Sequence, residues 1–93
     1  MLLEADKGVC EAQNDLALLF LEQERPDIAF HWFMLAAQQQ HPDAMQWLSY
    51  LYSRGLGIEP NETEAVLWLA KAAKAGHLIA RAQMATITGA DEQ

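Results

Sequence analysis

One cysteine, Cys10, is all this 93-residue chain has, so no internal disulfide can form and a cysteine-built zinc site is ruled out. Positive charge is almost as scarce. Six Lys and Arg stand against thirteen Asp and Glu, a formal net charge of −7. Phosphate recognition needs a basic patch, so nucleic acid and anionic membrane are poor partners for such a surface. Long apolar runs are missing too: Met1-Leu2-Leu3 is followed at once by Glu4, Asp6 and Lys7. Nothing here is long enough for a signal peptide or a membrane span, and the chain is expected in the cytoplasm unless it is a fragment of a secreted protein. β-Branched residues are few, while Ala, Leu, Gln and Glu dominate, which favours helix throughout.

What is present is enough for one small packed domain, because 52% of the residues are hydrophobic. The acids are unevenly placed. Residues 1–45 hold eight of them against Lys7 and Arg25, and residues 46–93 hold five against Arg54, Lys71, Lys74 and Arg81.

The apolar positions follow helical spacing. Ala12, Leu16, Leu19 and Phe20 share one face of a helix over about 9–22. Pro26 suits the first turn of a second helix that runs to about Gln40, and Pro42 opens a third carrying Ala44, Leu48, Leu51 and Tyr52. Gly55, Gly57 and Pro60 make a loop. Asn61 then caps a fourth helix, with Glu62 and Glu64 at its positive end and Lys71 and Lys74 in its last turns. Gly76 closes that helix, and a fifth spans Leu78 to Thr88.

These helices repeat. Ala29, Trp32, Ala36 and Ala37 recur 36 residues later as Ala65, Trp68, Ala72 and Ala73. Ala12, Leu16 and Phe20 recur 32 residues later as Ala44, Leu48 and Tyr52, and Gly8 falls in phase with Gly76. Such self-similarity marks a helical solenoid. The expected fold is therefore an all-α, α/α solenoid of about five antiparallel helices, roughly two and a half repeats. It divides into a partial repeat 1–7, a repeat 8–39, a repeat 40–75, a half repeat 76–88 and a tail 89–93. Both ends of the stack then fall inside a unit. The phase also predicts Trp32 and Trp68 buried between the two helices of each pair.

The residues that carry this pattern resemble the Sel-one-like repeat, a relative of the tetratricopeptide repeat. In the second copy they are Ala44, Leu48, Tyr52, Gly55-Leu56-Gly57-Ile58, Ala65, Trp68, Ala72-Ala73 and Gly76. The first copy gives Ala12, Leu16, Phe20, Ala29, Trp32 and Ala36-Ala37, with Gln40 in place of the glycine and no Gly-x-Gly loop. Its loop from Leu21 to Pro26 is four residues shorter than that from Ser53 to Glu62. The resemblance implies a non-catalytic adaptor or scaffold that binds protein or peptide. Members of the family occur in signalling, in protein quality control and in bacterial interaction with hosts.

Catalysis and metal binding find little support in the residues. Gly55-Leu56-Gly57 follows a helix and lacks the third glycine of a dinucleotide fingerprint. His31, His41 and His77 have no ligand spacing, and no nucleophile motif is present. The chain is thus read as no enzyme, with no cofactor. Two surfaces stand out instead. By analogy with tetratricopeptide stacks, the first helix of each pair lines a concave groove, which places Asn14, Leu18, Gln46, Tyr50 and Arg54 on it. The second is apolar: Phe30, Met34 and Leu35 cannot all share the inward face of their helix, and Ile79 and Ile87 lie on a last helix with no following partner. They support an alternative reading, a self-associating unit that forms a homodimer through the open stack ends or through this apolar helix face, two-fold symmetric as small homo-oligomers usually are.

Overall fold

The computed structural model describes the backbone of residues 2–88 and the side chains of residues 9–86. Five helices follow one another: α1 (Leu2–Glu22), α2 (Pro26–Gln38), α3 (Pro42–Arg54), α4 (Glu62–Lys74) and α5 (Leu78–Thr88). Among the described residues there is no strand. Each helix packs on the next, α1 on α2, α2 on α3, α3 on α4 and α4 on α5, so the expected solenoid is formed.

The helix starts are where local chemistry puts them. Pro26 and Pro42 occupy first helical positions, where a missing N–H costs nothing. Asn61 caps α4, its side-chain oxygen accepting from the Glu64 N–H at 3.0 Å. One start differs from expectation. α1 runs through Gly8 without a corner. At the matching corner, His77 follows Gly76 and caps α5, its Nδ1 accepting from the Ala80 N–H at 3.2 Å. Val9 follows Gly8 and has no polar atom to offer a new helix.

Helices α1 to α4 all end in the same way. A residue in the left-handed region turns the chain, and the next N–H reaches back five residues. The turning residues are Glu24, Gln40, Gly55 and Gly76. Arg25 N–H donates to Phe20 O, His41 to Ala36 O, Leu56 to Leu51 O and His77 to Ala72 O, at 2.9 to 3.2 Å.

Small residues let these helices approach closely. Ala17, Ala29, Ala36, Ala44, Ala72 and Ala80 are sealed in the core, around the larger Phe33, Met45, Leu48 and Leu51. Trp32 and Trp68 correct an expectation: they pack on this core but stay half-buried, and Lys71 Nζ sits 4.3 Å from the Trp68 ring centre. Phe30, Met34 and Leu35 take intermediate positions as well. All three are half-buried; Phe30 and Met34 pack on the core, and Phe30 meets the Tyr52 ring edge-on at 5.4 Å. The apolar side chains left open lie elsewhere. Leu19 is 47% exposed, whereas its repeat counterpart Leu51 is 0% exposed. Ala12 is likewise exposed where Ala44 is buried. Helix α2 packs on α3, where Ala44 and Leu51 are enclosed.

The loop between α3 and α4 reaches back across the repeat boundary. A Cβ on Gly57 would lie 2.5 Å from the carbonyl carbon of Pro26 and 2.6 Å from Asp27 N, both backbone atoms at the start of α2. Gly57 also has φ +74, whereas Gly76, at φ +99, has open space around it. In urea melts Gly57→Ala is expected to lose about 2–4 kcal/mol, from backbone conformation and overpacking together. Gly76→Ala should lose only about 1 kcal/mol, from conformation alone. Equal losses would contradict the contact with Pro26.

Candidate interaction site

A recess of about 290 Å³ opens where α3, α4 and α5 meet. From α3 it takes Gln46, Ser49, Tyr50, Ser53 and Arg54, which helical spacing places on a single stripe. From α4 it takes Glu62, Ala65, Val66 and Leu69 at the same spacing, and from α5 Gln83. Val66 and Leu69 give an apolar patch, and the two glutamines give amides that can both donate and accept. Ser53 Oγ donates weakly to Glu62 Oε2 at 3.5 Å.

The recess is built on an aromatic chain that begins in the core. Phe33 of α2 is stacked on Trp47 of α3, with ring centres 5.6 Å apart and planes 12° apart. Trp47 meets Tyr50 edge-on at 5.7 Å. The Arg54 guanidinium carbon then lies 5.3 Å from the Tyr50 ring centre. Tyr50 and Arg54 are therefore held at the surface by a series of contacts that ends on a fully buried ring. On the same helix, burial and the negative charge of Glu64 raise the Tyr52 phenol above its usual pKa near 10.

Of the groove residues read from the sequence, Gln46, Tyr50 and Arg54 come together here. Asn14 and Leu18 do not. Leu18 is half-buried and borders a separate hollow with Asp15, Leu19, Leu21 and Glu22. Asn14 is only 6% exposed, and its Oδ1 has no hydrogen-bond partner. The repeat explains the difference. Thirty-six residues before Gln83 stands Trp47, and 36 before Leu69 stands Phe33. In the first repeat the positions that line the recess are thus held by two stacked rings. Trp47 and Gln83 were not singled out from sequence, and Ser49, Val66 and Leu69 were not read as site residues.

Elsewhere, His77 Nε2 lies 2.8 Å from Asp43 Oδ1 and ties the start of α5 to the start of α3. Nδ1 faces the Ala80 N–H, so Nε2 is the ring nitrogen that meets Asp43. Among the described residues no three His, Cys, Asp or Glu converge as metal ligands, and no helix is long and apolar enough to cross a membrane.

Comparison with known proteins gives this architecture relatives. Residues 10–41 and 42–77 each match the family model described as Sel1 repeat. An uncharacterized protein of Neisseria meningitidis serogroup B is 40% identical over 62 residues, covering 67% of this chain and 13% of that protein. The DAP3-binding cell death enhancer 1 of Rattus norvegicus is 34% identical over 85 residues, covering 89% of this chain and 17% of that protein. The crystal structure of a Sel1 repeat protein from Oxalobacter formigenes superposes with a TM-score of 0.77 at 31% identity, covering 88% of this chain and 35% of that one. The chain thus spans a small part of the length of each.

Asn14 offers a direct check on the filled notch. A buried, unpartnered amide oxygen costs stability that an apolar side chain of similar size does not. Asn14→Leu is expected to raise unfolding free energy by about 1–2 kcal/mol in urea. A loss of stability of that size would mean that Asn14 makes a hydrogen bond the structure does not contain.

Proposed function

The chain belongs to the Sel1 repeat family, whose members generally mediate protein–protein interaction, and from that premise we propose a non-catalytic adaptor that takes a peptide segment into the recess between α3, α4 and α5. The observation that carries this reading is the aromatic chain from Phe33 through Trp47 to Tyr50 and Arg54. Tyr and Arg are the residue types that most often dominate binding energy, and anchors already held in place lose little freedom on binding. Gln46 and Gln83 can pair with the N–H and C=O groups of a peptide, while Val66 and Leu69 accept an apolar side chain. The acid in the recess, Glu62, is turned towards Ser53 rather than a base, which suits recognition better than chemistry. The rat relative is named for binding another protein, in keeping with such a role. A cytoplasmic setting suits a chain whose one cysteine is buried.

Selecting peptides from a displayed random library against the full chain, then titrating the best into isotope-labelled protein, tests the reading. Amide shifts should cluster at Gln46, Tyr50, Arg54, Val66 and Gln83. Replacing Tyr50 and Arg54 together by Ala should leave helicity unchanged and weaken binding at least tenfold, a loss of about 1.4 kcal/mol. Shifts confined to α1 and α2, or an unchanged affinity, would remove the recess as the binding site.

A further inference from the structure

Among the described residues, Asn14 Oδ1 is the buried side-chain oxygen left without a hydrogen bond. Native chains rarely leave such an atom unpaired, because its lost hydration is not replaced. The repeat says what the position is for. Thirty-two residues after Asn14 stands Gln46, an amide that lines the recess between α3, α4 and α5. The recess residues Leu69 and Gln83 have Phe33 and Trp47 as their counterparts 36 residues earlier. The first repeat therefore carries an amide at the same place, with two rings at the matching positions. These rings are not held alike. Phe33 is sealed in the core, whereas Trp47 is half-buried and packs on the core from its margin.

The geometry points to a second subsite for the same peptide, in the first repeat, where a backbone N–H of the peptide donates to Asn14 Oδ1 once the Trp47 ring has turned out. This rests on the reading of the recess as a peptide site. The oxygen is enclosed in the free chain, so a ligand reaches it only when a neighbour moves, and Trp47 is the matched ring with surface to move into. Such a subsite is a minor conformation that the ligand makes dominant. It also gives a reason for an amide that weakens the free chain. The peptide is extended: about twelve residues reach roughly 40 Å, comparable to the 42 Å length of the molecule.

The test uses peptides of about that length, selected from a displayed library against the full chain. In the free protein the rings of Phe33 and Trp47, 5.6 Å apart, should show a nuclear Overhauser contact. Binding should remove it and shift the Asn14 side-chain amide resonances. Asn14→Leu should weaken binding about tenfold although it stabilises the free chain. Asn14→Ala, which adds no bulk, should weaken binding equally, with unchanged helicity by circular dichroism. Trimming the peptide until this dependence on Asn14 disappears should leave the shifts at Gln46, Tyr50 and Arg54 in place. Shifts at those three residues with the Phe33–Trp47 contact intact, or equal affinity in the Asn14 variants, would overturn the second subsite and leave the recess. Absence of binding by any selected peptide would overturn both.

Discussion

The stacking of Trp47 on Phe33 is the contact on which the layout of this molecule turns. Phe33 belongs to the second helix of one repeat and Trp47 to the first helix of the next, so the pair joins the repeats through a fully buried ring and a half-buried one. An offset aromatic pair adds about 0.5–1.5 kcal/mol to what its buried area contributes. Its position matters more than its size. The rings stand where Leu69 and Gln83 stand in the second repeat, and there the smaller side chains leave a recess. The two repeats thus differ in the side chains at these positions, aromatic rings in the first and Leu69 and Gln83 beside the recess in the second. The free edge of Trp47 then supports Tyr50, which supports Arg54. Core packing and the candidate site are parts of one structure.

The corners show a second asymmetry. All four use a left-handed residue, but the first repeat supplies Glu24 and Gln40 and the second supplies Gly55 and Gly76. A side chain in that region costs about 1–2 kcal/mol. Glu24 and Gln40 bear that cost, whereas Gly55 and Gly76 do not. The longer loop of the second repeat is not slack. Gly57 lets it lie directly on the backbone of Pro26 and Asp27, so it braces the preceding repeat from the far side.

Most of the fold was legible because it rests on local rules. Pro26, Pro42, Asn61 and Gly76 marked helix ends through their own backbone chemistry, and the 36-residue recurrence of Ala29, Trp32, Ala36 and Ala37 announced the stack. Other outcomes depended on neighbours that the repeat pattern does not name. Gly8 looked like Gly76, but a corner also needs a residue to start the next helix, and Val9 cannot do what His77 does. Asn14 aligned with Gln46, yet its exposure depends on what stands opposite, and a pattern within one helix cannot report that. Phe30 and Met34 looked stranded by helical phase, but helices on both sides of α2 cover more than one stripe of it. Tyr50 and Arg54 were readable as anchors by residue type, whereas the support beneath them came from Trp47, which the repeat pattern does not require.

The account stands or falls on whether the two rings interact as a pair. A double-mutant cycle measures this: unfolding free energies of the parent, Phe33→Leu, Trp47→Gln and the combined variant, all from urea melts. The account predicts a coupling of about 0.5–1.5 kcal/mol between the two positions. Strictly additive losses, with no coupling, would show that Trp47 does not rest on Phe33 and that the first notch is closed by something else.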